Sequence, residues 1–202
     1  DTCFCMRKSF SLYHCFYGLM LILLIVGCKI KNTEVIRLKS GWEFTIPGNN
    51  ISTIDADSFV FKPVKKISDL TTASPAGGVI VLRKIFTLPD SLISIPISLM
   101  LGRVVKADST FLNNSFIGAT GNFPPNVTNP WNINRLYAVP REILKKGQNE
   151  LRVKIYFETG RGGIFDMPVI GERRYLIDFS NLRTFYYVET YRISSVISFI
   201  AS

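Results

Sequence analysis

The hydrophobic and polar positions of the middle of the chain alternate with the two-residue period of β-strands. In Glu150–Phe157 the apolar residues from Leu151 onward occupy every second position, so one face of a strand would be buried and the other exposed. Short runs rich in β-branched and aromatic residues predict further strands at Gly41–Ile46, Ser58–Phe61, Val79–Leu88 and Ile93–Leu101. Gly, Pro and Asn residues separate these runs, which is typical of a β-sandwich or jelly roll.

Two details refine this pattern. Pro96 within Ile93–Leu101 indicates an edge strand or a bulge, because proline cannot donate a ladder hydrogen bond. Asn113 and Asn114 lie between two apolar pairs and predict a hairpin turn, because Asn tolerates a positive φ.

The first 28 residues have the pattern of an export signal. Arg7 and Lys8 precede the unbroken apolar run Phe16–Gly27, which as a helix would rise about 18 Å, less than a bilayer core. The end of this run, with Cys28, resembles the bacterial lipobox, which implies a lipidated Cys28. We therefore expect a signal peptide at residues 1–27, a polar tether at residues 28–40 and a place in the bacterial cell envelope, facing the periplasm or the exterior. An uncleaved signal anchor and a buried apolar helix are the alternatives.

The pattern changes again at the C-terminal end. From Arg173 the apolar residues recur at three- and four-residue gaps, which predicts a helix, and Ile193–Ser202 contains no charged residue. Residues 171–202 are therefore expected to form a juxtamembrane helix or the start of a truncated transmembrane segment. A final strand or helix that covers the sandwich is the alternative.

The composition excludes most types of catalytic site from Lys29 onward. The four Cys and the single His all lie within the first 28 residues, which excludes a Ser-His-Asp triad, a Cys nucleophile and a His or Cys zinc site from Lys29 onward. The remaining carboxylates match no catalytic pattern; they include Asp108, Glu142, Glu158 and Asp166. We expect neither an enzyme nor a bound cofactor or metal.

The chain carries a net charge of +9, and its basic residues are scattered. No long basic run, zinc finger or aromatic RNA-binding pattern accompanies them, so no nucleic-acid partner is expected. Attraction to an anionic membrane surface explains the charge more simply.

Several motifs occur in a fixed order along the body of the chain. They are Leu82-Arg-Lys-Ile-Phe-Thr-Leu-Pro89, Phe111–Gly118, Arg135–Pro140, Leu144–Val153 and Gly162-Gly163-Ile164. Together they resemble the galactose-binding-like jelly roll at the N-terminus of glycoside hydrolase family 2 enzymes, a domain also found with sialate O-acetylesterases and in bacterial sensor proteins. The resemblance covers residues 41–170 and implies an all-β jelly-roll sandwich. One departure is Asn114, which stands where the family usually has Gly.

Five residues are candidates for a ligand site. Sugar sites combine an aromatic face with amides and a planar Arg, because pyranose rings offer both CH surface and hydroxyls. Such a set is available if its members converge on one rim; it consists of Asn113, Asn114, Trp131, Arg135 and Tyr137. Alternatively, Trp131 and Tyr137 pack between loops and Arg135 is a structural hydrogen-bond donor.

The sequence thus favours a membrane-anchored module that binds carbohydrate or a small polar ligand and forms the sensory portion of a larger bacterial membrane signalling protein. Its membrane contacts would be the lipidated Cys28 and the C-terminal tail. The alternatives are a non-catalytic accessory domain of a glycoside hydrolase or esterase, and a stand-alone surface lipoprotein.

Overall fold

The computed structural model describes residues 34–47, 59–160 and 162–185. The chain divides into two compact units, residues 1–33 and 34–202, and all described residues belong to the second. The predicted signal peptide, Cys28 and the apolar run Ile193–Ser202 lie outside the described residues.

The described residues form mostly β-structure. The strands are β1 Val35–Arg37, β2 Trp42–Thr45, β3 Lys62–Pro63, β4 Gly77–Leu88, β5 Ile97–Arg103, β6 Ala107–Leu112, β7 Ser115–Thr120, β8 Asn134–Val139, β9 Gly147–Glu158 and β10 Val169–Glu172. The helices are α1 Asp90–Ile93 and α2 Arg173–Thr184, and a single 3₁₀ turn spans Arg141–Ile143.

These strands make two antiparallel sheets. One has the order β1-β10-β5-β8 and the other the order β3-β2-β4-β9-β6-β7. The inward side chains of both sheets share one apolar core; it includes Ile80, Leu82, Leu99, Leu101, Leu151, Val153, Ile155, Phe157 and Ile170. The predicted all-β sandwich is therefore confirmed.

Strand β9 shows how the alternation of the sequence produces this core. It pairs with β4 over the whole length of both strands. Leu151, Val153, Ile155 and Phe157 are all buried between the sheets, and burial of each such side chain contributes about 1.5–3 kcal/mol. The predicted turn is also present, because Asn113 and Asn114 have φ values of 50° and 70° and join β6 to β7.

The predicted tether is wrong in its last part. Strand β1 pairs with Val169–Gly171 of β10 at the edge of the smaller sheet, and Leu38 is buried in the core. The sandwich thus begins before Gly41. A strand of three residues is too short for alternation to reveal it in the sequence.

Two other strand predictions need correction. Ser58–Phe61 was expected to be a strand. Residues 59–61, the part of it that the structure describes, are not in a strand, and pairing with β2 begins at Lys62. Ile93–Leu101 is not continuous, since α1 ends at Ile93 and β5 begins at Ile97, after Pro96. Pro96 therefore precedes the strand rather than interrupting it, as its missing N–H requires.

Helix α2 lies along the outer face of the smaller sheet. Its first residue donates from the Arg173 amide to Pro96 O at 2.9 Å, next to the start of β5. Further along, Ser180 Oγ accepts a 2.7 Å hydrogen bond from Asn134 Nδ2, and Asn134 pairs with Arg103 at the other end of β5. Leu176 and Ser180 are buried on this face, so the domain extends beyond the predicted limit at residue 170. Within the described ranges, neither helix has the length and apolar character to cross a bilayer.

Candidate functional site

The five predicted site residues lie at two ends of strand β6. Asn113 and Asn114 follow its last residue, whereas Arg135 and Tyr137 bind Asp108 near its start. The five residue-to-residue steps from Asp108 to Asn113 span roughly 17 Å. The predicted set therefore does not form one rim.

Asn113 has a structural position. Its Nδ2 donates to Ile143 O at 2.7 Å and to Asn149 Oδ1 at 2.8 Å, and its Oδ1 accepts from the Glu150 amide at 2.9 Å. Asn149 is itself buried and donates to Lys145 O at 2.8 Å. These bonds join the β6–β7 turn to the turn before β9, while Asn114 is exposed.

Arg135 and Tyr137 converge on Asp108 between the two sheets. Arg135 Nε lies 3.1 Å from Asp108 Oδ1, and both side chains are fully buried. The Tyr137 hydroxyl donates to Asp108 Oδ2 at 2.7 Å and lies 2.8 Å from Thr120 Oγ1. Because Asp108 belongs to β6 and its partners belong to β8, this polar cluster links the two sheets.

Burial dominates the electrostatics of this cluster. It raises the pKa of Asp108, against the opposing effects of the Tyr137 hydroxyl and the Arg135 guanidinium. Burial, followed by the Asp108 carboxylate, also raises the pKa of Tyr137, so the phenol stays neutral and donates its proton. Removing one member of a buried ion pair typically costs about 3–5 kcal/mol, because the other charge is left without compensation.

Arg135 also holds the loop that precedes β8, residues 121–133, called here the Trp131 loop. Its Nη1 donates to Pro130 O at 2.7 Å and to Ile133 O at 2.6 Å. Its Nη2 donates to Lys106 O at 2.9 Å. The guanidinium thus fixes the backbone on both sides of Trp131.

Further contacts order the start of the same loop. Gly121 has a φ of 79°, and a Cβ there would lie 3.0 Å from Lys106 O, so only glycine fits this approach to β6. The Asn122 amide donates to Thr128 Oγ1 at 2.9 Å. Lys154 Nζ lies over the ring of Phe123, 5.0 Å from the ring centroid.

The outward surface of the Trp131 loop combines an aromatic ring with amides. Trp131 is 53% exposed, and four asparagines of the loop are exposed as well: Asn122, Asn126, Asn129 and Asn132. The loop contains no charged residue. An exposed indole offers a face for the CH groups of a sugar, and amides both donate to and accept from hydroxyls.

Sequence reasoning missed these asparagines because Asn is common in loops for conformational reasons. Their density around one Trp within thirteen residues was the available indication. Of the predicted residues, Trp131 alone is both part of this surface and exposed, while Arg135 binds the loop backbone and Tyr137 binds Asp108.

Three of the carboxylates named from the sequence are paired with basic side chains. Asp108 and Asp166 both bind arginines, and Glu158 lies at the surface 3.2 Å from Lys106. Within the part of the chain that is described, no cluster of His, Cys, Asp and Glu could hold a metal ion.

No family model matches the chain, and no curated protein does. Among solved structures it is similar to b-glucuronidase from Ruminococcus gnavus in complex with D-glucuronic acid, at 16% identity and a TM-score of 0.55. The same enzyme in complex with uronic isofagomine matches at 17% identity and a TM-score of 0.54. In both cases the match covers 71% of this chain and 30% of the enzyme chain.

At this identity the likeness shows the fold alone. It confirms that the chain has the fold of a portion of a glycoside hydrolase family 2 enzyme, as its motifs indicated. The chain matches only about a third of the length of those enzymes, so it corresponds to a part and not to the whole of the enzyme.

Proposed function

From a fold shared with part of a β-glucuronidase, we propose that this chain is a carbohydrate-binding module whose ligand site is the Trp131 loop. The observation that carries this proposal is the support of one exposed Trp by a fully buried arginine. Arg135 binds the carbonyls of Pro130 and Ile133 on either side of Trp131. A loop fixed in this way loses little conformational entropy when a ligand binds.

The ligand class follows from the chemistry of the loop. One face of Trp131 would stack on a pyranose ring, and the amides around it would exchange hydrogen bonds with hydroxyls. A small polar ligand with a flat apolar face would satisfy the same groups. A solved enzyme with this fold is in complex with D-glucuronic acid, which supports a carbohydrate-related role for the fold.

The proposed setting is the outer side of a bacterial membrane. The lipobox-like sequence before Cys28 and the uncharged run Ile193–Ser202 support a module anchored in the cell envelope. In that setting the domain would be the sensory portion of a larger membrane signalling protein.

A non-catalytic accessory domain of a glycoside hydrolase or esterase is the second candidate. It is favoured by the match to only 30% of a glycosidase chain. A stand-alone surface lipoprotein is the third. The gene sequence beyond the codon for Ser202 separates them, since a hydrolase domain favours the accessory role and repeated apolar spans favour the receptor.

A glycan array followed by isothermal titration tests the ligand claim on the full chain in detergent. We expect binding of at least one glycan, weakened about ten-fold or more by Trp131→Ala. Phe116→Ala is the matched control, because Phe116 is an equally exposed aromatic residue on β7. Silence across the array, or equal loss in both variants, would contradict the proposal.

A further inference from the structure

Helix α2 carries an exposed apolar stripe beside the face that Leu176 and Ser180 bury against the sandwich. Tyr175, Phe179 and Leu182 are spaced by four and three residues, and they are 40%, 37% and 65% exposed. The rings of Tyr175 and Phe179 stack with centroids 6.2 Å apart. Phe185 extends the stripe at the end of the helix and is 54% exposed.

The first turn of the same helix carries two arginines and no acidic residue, Arg173 and Arg174. The N-terminus of a helix has a partial positive charge, so cations there are unfavourable for the isolated helix. Within the described part of the chain neither forms an ion pair, whereas Arg183 at the other end binds Asp166. The helix contains one acidic residue, Asp178. This placement suits an anionic partner outside the domain.

The stripe is too small for a stable dimer. Twelve helical residues extend about 18 Å, and one face of such a helix offers far less than the roughly 800 Å² per partner of a typical protein interface. The helix leads instead toward Ile193–Ser202, where ten residues carry no charge. A lipid surface accepts a narrow apolar stripe on a helix whose other faces carry arginines, because basic side chains reach the headgroups while apolar ones enter the acyl region.

We propose that α2 lies in the interface of an anionic lipid bilayer, with the Tyr175–Phe179–Leu182 stripe toward the acyl chains and with Arg173 and Arg174 at lipid phosphates. This inference rests on the membrane attachment in the proposed function and is independent of sugar binding. It assigns a binding surface to a helix that otherwise only covers the smaller sheet.

Hydrogen exchange of the full chain on vesicles tests the proposal. One preparation contains phosphatidylcholine alone, and the other contains about 30% phosphatidylglycerol. The anchoring segments are present in both, so only the lipid charge differs. We expect amides of residues 173–185 to exchange at least about five-fold more slowly on the anionic vesicles, and salt at about 1 M to remove the difference.

The variant Arg173→Glu/Arg174→Glu should abolish this difference. The control Lys145→Glu/Lys146→Glu makes the same change in net charge at another exposed pair and should retain it. If the arginine variant does not fold, the salt series on the natural chain gives the answer. Equal exchange on both lipids, or equal loss in both variants, would overturn the proposal. Failure of the full chain to attach to any vesicle would refute membrane attachment as well, while leaving the glycan result untouched.

Discussion

Asp108 and Asp166 both bind arginine, yet their surroundings have opposite consequences. Asp108 is enclosed between the sheets with one arginine, and burial raises the pKa of its carboxyl. Asp166 lies near the surface, where Arg103 Nε is 3.0 Å and Arg183 Nη2 is 2.5 Å away. Burial also acts to raise the pKa of Asp166, but the hydrogen bonds from Arg103 and Arg183 outweigh it and the pKa is lowered.

The two aspartates have different structural roles, because Asp108 belongs to the core of the sandwich and Asp166 to the contact between the sandwich and α2. Asp108 and Arg135 join the two sheets and position the Trp131 loop, so losing either partner disturbs the fold and the candidate site together. Asp166 joins the Arg103 end of β5 to the C-terminal end of α2. Its loss should loosen the C-terminal end of the helix while the sandwich persists.

The largest expected effect is that of Arg135→Leu. It leaves Asp108 buried without a cation, and unfolding should become easier by about 3–5 kcal/mol. Urea unfolding followed by circular dichroism measures this loss. Arg183→Leu is the comparison, because it removes a partly exposed partner and should cost about 1 kcal/mol or less. Similar losses in the two variants would show that the two clusters do not differ as described.

Tyr137→Phe should cost less, about 1.5–3 kcal/mol, because it removes one donor to the Asp108 carboxylate and leaves the ion pair in place. It should also raise the pKa of Asp108 further, since the Tyr137 hydrogen bond lowers it. Urea unfolding and carboxyl titration by NMR check both effects. A pKa of Asp108 that stays constant or falls would contradict this assignment.

The pH dependence of the two aspartates should differ in sign. The pKa of Asp166 is lowered in the folded state, so its stabilisation is present above the ordinary value near 3.9 and is lost as the pH falls through the lowered pKa. The pKa of Asp108 is raised, so ionising it costs stability as the pH rises through that raised value. Asp166→Asn should flatten the loss of stability as the pH falls below about 4, as measured by thermal unfolding. If the stability of the variant fell as steeply at low pH as that of the natural chain, the role of Asp166 would be contradicted.

The smallest effect on stability is expected for Trp131→Ala. Its side chain is largely exposed and Arg135 binds backbone carbonyls, so the unfolding free energy should change by about 0.5 kcal/mol or less. Urea unfolding against Phe116→Ala provides the check. A large loss would mean that Trp131 is part of the core.

The sequence was informative where a pattern was long and local. The alternation in Glu150–Phe157 predicted β9, and the Asn113-Asn114 pair predicted the hairpin, because strand period and turn conformation are encoded within a few residues. Strand β1 was not predicted, because it has only three residues and its structure depends on pairing with β10.

The site was harder to predict for a topological reason. Asn113 and Arg135 belong to successive motifs of the sequence. In the fold, however, Asn113 follows the end of β6, whereas Arg135 binds Asp108 near its start. Asp108 matched no catalytic pattern, and only the packing of two sheets revealed it as the partner of Arg135 and Tyr137. Burial and cross-sheet pairing depend on the whole fold.

We propose that the buried Arg135 presents Trp131 to a sugar, and calorimetry with the strongest glycan from the array can decide whether it does. Trp131→Ala should lower the affinity about ten-fold or more, while the urea midpoint stays that of the natural chain. Full affinity in that variant, with its fold intact, would show that Trp131 does not bind the sugar.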